Sequence, residues 1–109
     1  MNICLLGNNL TNLVLANILI KKKIKVDIIS QYRNSVLKNT VRTIAISNEN
    51  YKFLSRNIKG IDTLGWPSHK IQIYTEKNMS SELFEFKKKN QNNFYLLKYI
   101  ELYLSLIHI

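Results

Sequence analysis

The sequence predicts an α/β fold: a βαβ unit followed by a helix and a β-hairpin. Three observations carry this. Apolar runs at 2–6 and 24–30 flank a segment of helical period. Tyr51, Leu54 and Ile58 then recur at i, i+3 and i+7. Finally, two alternating runs at 70–75 and 82–86 lie close enough to pair.

The elements follow in order. Asn2 to Leu6 is a short apolar strand, and Gly7-Asn8-Asn9 reads as a tight turn. From Leu10 to Lys22 the apolar positions 10, 13, 14 and 18, widened by 15, 16, 19 and 20, fit a helix buried on more than one side. Ile24 to Ser30 is the second strand, so the crossover is right-handed and the two strands are expected to be parallel and buried. Residues 31–41 are polar and show no apolar period. After the apolar piece at 43–46, Ser47 is a helix cap, and Gly60 suits the helix stop. Asp62 to Ser68, with Gly65 and Pro67, reads as a loop. The runs at 70–75 and 82–86 form a hairpin whose long turn spans Lys77 to Ser81. Residues 87–93 read as a solvated loop, and Phe94 to Ile109 as a short strand or turn and then a helix.

A chain of 109 residues is enough for one small domain. With 46% hydrophobic residues it has the means for an ordered core. One cysteine excludes an internal disulfide framework, and two histidines leave little for a structural zinc site. The formal charge of +9 is carried by 13 Lys but only 3 Arg. Lys, Asn and Ile make up 42 residues, the signature of an AT-rich genome rather than of a nucleic-acid reader, which favours the forked guanidinium. A basic nucleic-acid-binding domain is the weakest of three functional readings, and no nucleic-acid partner is expected. The apolar stretch at 13–20 is no signal peptide, because Lys21-Lys22-Lys23 follows it rather than precedes it. It is also too short to span a membrane. The expected location is cytoplasmic, with a reduced cysteine.

The chemistry-bearing motif is the turn after the first strand. In dinucleotide-binding, Rossmann-like βαβ units this turn is G-x-G-x-x-G, followed by a helix whose amino end receives the pyrophosphate. Here the register reads Gly7-Asn8-Asn9-Leu10-Thr11-Asn12, with only the first glycine present. Asn9 tolerates a positive φ, so the turn remains possible there, although its side chain would crowd a phosphate. Asn12 is expected to loosen helix–strand packing. Ser30 occupies the ribose-binding position at the end of the second strand, where the fingerprint has an acid. Asp27 lies three residues early and reads as an exposed edge charge.

Four segments carry a resemblance: Asn-Ile-Cys-Leu-Leu-Gly, Leu-Ala-Asn-Ile-Leu, Lys-Val-Asp-Ile-Ile, and Arg42-Thr43-Ile44-Ala45-Ile46-Ser47. Their order resembles the amino-terminal part of FAD-dependent aromatic hydroxylases, closest to the ubiquinone-biosynthesis subgroup. The resemblance spans about residues 1–103 and only the first part of a full family member. It implies an incomplete FAD-binding domain over 1–109 of a flavin monooxygenase, with NAD(P)H as reductant and an aromatic, prenylated ring as substrate. It also implies peripheral association with the inner face of a membrane. Arg42 matches an arginine that the family places beside the FAD. Gly7, Asn9, Leu10, Thr11, Ser30 and Arg42 are therefore the candidate cofactor-binding residues, and no catalytic residue can be named. The family's Gly-Asp flavin motif has no counterpart in the chain. Residues 105–109, Ser-Leu-Ile-His-Ile, resemble a translated adapter tail, which would make them foreign to the family and the 109-residue piece inactive alone. The competing reading is a Rossmann-like module that has lost its cofactor and serves a structural or partner-binding role.

Other residues have plainer readings. Cys4 is expected as a small core residue. His69 and His108 lack partner spacing for a metal or a triad. Trp66 is expected as a loop anchor over the core. The Tyr and Leu residues of 99–106 read as core or as a partner-facing helix.

Overall fold

A computed structural model describes residues 1–31, 42–87 and 94–107. Of the expected polar stretch at 31–41 and the expected solvated loop at 87–93, residues 32–41 and 88–93 lie outside the described residues, as does His108. Strand β1 (Asn2–Leu6), helix α1 (Leu10–Lys21) and strand β2 (Lys25–Ile29) form the expected βαβ unit. The strands pair in parallel, Asn2 with Lys25 through Leu6 with Ile29.

Strand β3 (Thr43–Ser47) leads directly into helix α2 (Asn48–Asn57). Ser47 caps that helix as expected, its Oγ accepting the Asn50 amide at 3.3 Å. A 3₁₀ turn (Ile61–Thr63) precedes strand β4 (Trp66–Ser68). Strands β5 (Lys70–Thr75) and β6 (Asn78–Lys87) form the hairpin. Strand β7 (Phe94–Lys98) then runs into helix α3 (Tyr99–Ile107). β7 lies between β3 and β4 and is antiparallel to both.

The core sits between the three helices and this second sheet. Leu13 from α1, Tyr51 and Leu54 from α2, Leu97 from β7, and Leu102 and Leu106 from α3 form it with Ile58 and Ile61. Ile61, Leu97 and Leu106 are fully buried. Each such side chain contributes about 1.5–3 kcal/mol relative to leaving it in water. Gly65 lets the chain pass close to this core. A Cβ there would lie 2.7 Å from the Tyr51 ring.

Several expectations need correction. β2 is exposed along most of its length, because its sheet has two strands and α1 shields one face only. Cys4 is exposed for the same reason. α1 buries Leu13, Ala16 and Asn17, but Leu15 and Ile20 remain exposed, so it is covered on one side. The expected loop at 62–68 holds the end of the 3₁₀ turn and all of β4. Pro67 is tolerated in that strand because β4 lies at the edge of its sheet. Trp66 is half-exposed at 52% and anchors nothing in the core; Lys98 Nζ lies 5.8 Å from its ring centroid. The hairpin turn is short: Thr75 pairs with Asn78, and register shifts near Tyr74 absorb residues expected in the loop.

Candidate dinucleotide site

The carboxyl end of β1 and the amino end of α1 define the site. Gly7 has φ +95°, a left-handed conformation that L side chains avoid, and a glycine stands there for that reason. Its amide donates to the Ile29 carbonyl at 2.7 Å, which ties the turn to the end of β2. Ser30, the next residue, is thereby held beside the turn and is exposed.

Asn9 does not take the positive φ that the glycine fingerprint allowed for. It is extended, with φ −70° and ψ 166°, and is the N-cap of α1. Its Oδ1 accepts the Asn12 amide at 2.9 Å. The side chain folds onto its own helix end and satisfies one of the four donors that a helix amino terminus leaves open. The amides of Leu10 and Thr11 stay in the first turn, where no carbonyl four residues back serves them. That end of the helix favours an anion by about 0.3–1 kcal/mol.

Asn12 also departs from expectation. It does not loosen the contact between helix and strand. Its Nδ2 donates to the Leu6 carbonyl at 2.7 Å and to the Gly7 carbonyl at 3.0 Å. A glycine would allow closer approach; the carboxamide spans the remaining gap with two hydrogen bonds instead.

Leu10 and Thr11 also line a groove of about 430 Å³ with Val14, Ile44, Ile46 and Phe53, among others. Sequence reading missed the lining role of β3, although the alternation of Ile44 and Ile46 carried the signal. Arg42, just before β3, is exposed. Its carbonyl accepts the Tyr99 amide at 2.9 Å, and its guanidinium carbon lies 5.5 Å from the Tyr99 ring centroid. Five of the six candidates, Gly7 through Thr11 and Ser30, thus cluster at one sheet end. Arg42 stands apart in sequence and joins them through α3.

This chain resembles a solved structure, that of a 2,6-dihydroxypyridine-3-hydroxylase from Arthrobacter nicotinovorans. The TM-score is 0.68 at 17% identity, over 96% of this chain. The likeness establishes the fold. The chain spans 25% of the hydroxylase's length. No family model matches the sequence, and no curated protein does. The likeness covers nearly the whole chain, so the cluster above sits on a fold that a hydroxylase also uses.

The described residues fit the pyrophosphate of a dinucleotide in outline. A Cβ built on Gly7 would meet nothing closer than the Asn9 and Asn12 amide groups at 3.7 Å, so the turn itself is open. The first-turn amides and the Arg42 cation supply donors of the right charge. Asn9 is the one feature that competes, because its oxygen already holds an amide. Among the described residues no group of three or more His, Cys, Asp or Glu is placed to hold a metal. No described helix is long and apolar enough to cross a membrane.

Proposed function

We propose that this chain is the amino-terminal FAD-binding part of a flavin-dependent monooxygenase acting on an aromatic ring. The observation that supports it most is the strand–turn–helix at 2–21, with Gly7 left-handed and the amino end of α1 opening onto a groove. The likeness in fold to a hydroxylase agrees with it. Gly7 shapes the turn, the Leu10 and Thr11 amides receive the pyrophosphate, Ser30 serves the ribose, and Arg42 adds a cation beside the dinucleotide. When bound, the flavin supplies the two-electron chemistry by which one oxygen atom of O₂ enters the ring and the other leaves as water, with NAD(P)H as reductant. The chain's own residues bind and orient; none described here moves a proton. The apolar groove suits a ring bearing a prenyl tail of the ubiquinone-precursor type. Such a substrate would bring the enzyme to the inner face of a membrane from the cytoplasm.

One observation favours a second reading. Asn9 and Asn12 satisfy the turn from within, as a module that has lost its cofactor would. Absorbance spectra of the purified full-length protein separate the two. The flavin reading expects a band near that of free FAD to persist through gel filtration after incubation with FAD. A protein that emerges colourless at micromolar concentration supports the cofactor-free module.

A further inference from the structure

We propose that Tyr99 and Tyr103 are positioning residues that hold the Arg42 guanidinium in register with the Gly7 turn; this rests on the flavin reading above. Arg42 takes part in neither of the ion pairs seen among the described residues, Lys70–Glu85 and Lys98–Glu101. An exposed arginine without a partner samples many rotamers, and a ligand that needs it must bear the cost of ordering it.

Here the arginine is held at both ends. Its carbonyl accepts the amide of Tyr99, the first residue of α3, and its guanidinium lies over the Tyr99 ring. Tyr103 is one turn further along the same helix face. The two rings stack with centroids 6.2 Å apart and planes 18° from parallel. The Tyr103 hydroxyl then accepts a hydrogen bond from Asn8 Nδ2 at 3.2 Å, and Asn8 is the residue after Gly7. Three contacts therefore run from Arg42 to the turn, across a sequence separation that the backbone alone would leave slack.

The choice of partner matters. A carboxylate would hold Arg42 but neutralise its charge and occupy its donors. An aromatic face engages the guanidinium through the π-system and leaves the N–H groups at its edge free. A tyrosine is thus the partner suited to an arginine that must remain available to an anion.

The test is a double-mutant cycle in the full-length protein, read as FAD affinity by quenching of flavin fluorescence at low protein concentration. Arg42→Ala and Tyr99→Leu are each expected to weaken FAD about three- to tenfold, the range for losing a cation–π support or a partly exposed charge. Tyr99→Phe keeps the ring and should retain the wild-type affinity. In the Arg42→Ala background, Tyr99→Leu should have no further effect, which a merely structural role for Tyr99 would not produce. Tyr103→Phe, which removes only the bond to Asn8, should weaken FAD about threefold. If Arg42→Ala weakens FAD while Tyr99→Leu and Tyr103→Phe do not, the positioning role is wrong and the flavin reading stands. Additive losses in the cycle also overturn it. If Arg42→Ala has no effect on FAD affinity, the positioning role is wrong and the flavin reading stands; if the wild-type protein binds no FAD, both fail.

Discussion

Asn9 is the residue on which the site turns. Its carboxamide could fold onto its own turn or occupy the phosphate position, and the structure takes the first, with Oδ1 capping α1. Replacing Asn9 with Gly removes the cap at a cost of a few tenths of a kcal/mol and frees the Asn12 amide. FAD affinity of the full-length protein should therefore rise severalfold in a fluorescence titration; an unchanged or weaker affinity would show that the Asn9 oxygen is no competitor. Gly65 makes a separate point about packing. The Cβ of Gly65→Ala would press the Tyr51 ring at 2.7 Å, and Tyr51 is held by its hydroxyl bond to the Ile61 carbonyl and its stack on Tyr95. The ring cannot swing away freely, so the variant should lose about 1–3 kcal/mol of local stability. Faster limited proteolysis between Lys59 and Lys70 is the readout, and wild-type cleavage rates would show that the ring yields.

The helices were legible at the level of elements, and the sheets less so. α1, α2 and the Ser47 cap follow from apolar spacing and a capping hydroxyl, both of which act within one turn of chain. β4 was missed because three residues including a proline carry no period, and only pairing with distant β7 makes them a strand. The exposure of Cys4 and β2 was missed because burial of a parallel strand depends on layers supplied from elsewhere. Of the site, Gly7 was legible from its place after a strand, whereas Tyr99 and Tyr103 were not, since their contacts are made across the fold. Asn17 shows the same limit: it reads as a polar interruption of an apolar helix, yet it is buried. Its Nδ2 donates to the Leu13 carbonyl at 2.8 Å and to the Leu106 carbonyl at 2.9 Å, joining α1 to α3. Asn17→Ala leaves the Leu106 carbonyl without that donor and should cost about 1–3 kcal/mol. Hydrogen exchange at the amides of 102–106 should accelerate accordingly; unchanged protection there would deny the link.

For the whole molecule, the exposed apolar surface is the dominant fact. Leu6 and Ile29 at the site end of the parallel sheet are 76% and 61% exposed, and Leu83 and Phe84 on the hairpin are 58% and 51%. A two-stranded sheet and a two-stranded hairpin each need further cover for independent stability. The 109-residue chain should therefore bind a hydrophobic dye and self-associate despite its charge of +9. A monomeric elution volume together with a cooperative thermal transition would contradict this. The central claim is that the Gly7 turn and α1 hold a dinucleotide, and comparing FAD with FMN in one fluorescence titration tests it most directly. FMN carries the same isoalloxazine but lacks the pyrophosphate bridge and the adenosine half. In the full-length protein the account predicts saturable FAD binding that ADP competes away, with FMN at least about tenfold weaker, since the helix end and Arg42 act on the bridge. Equal affinities for FAD and FMN, or no saturable binding of either, would contradict it.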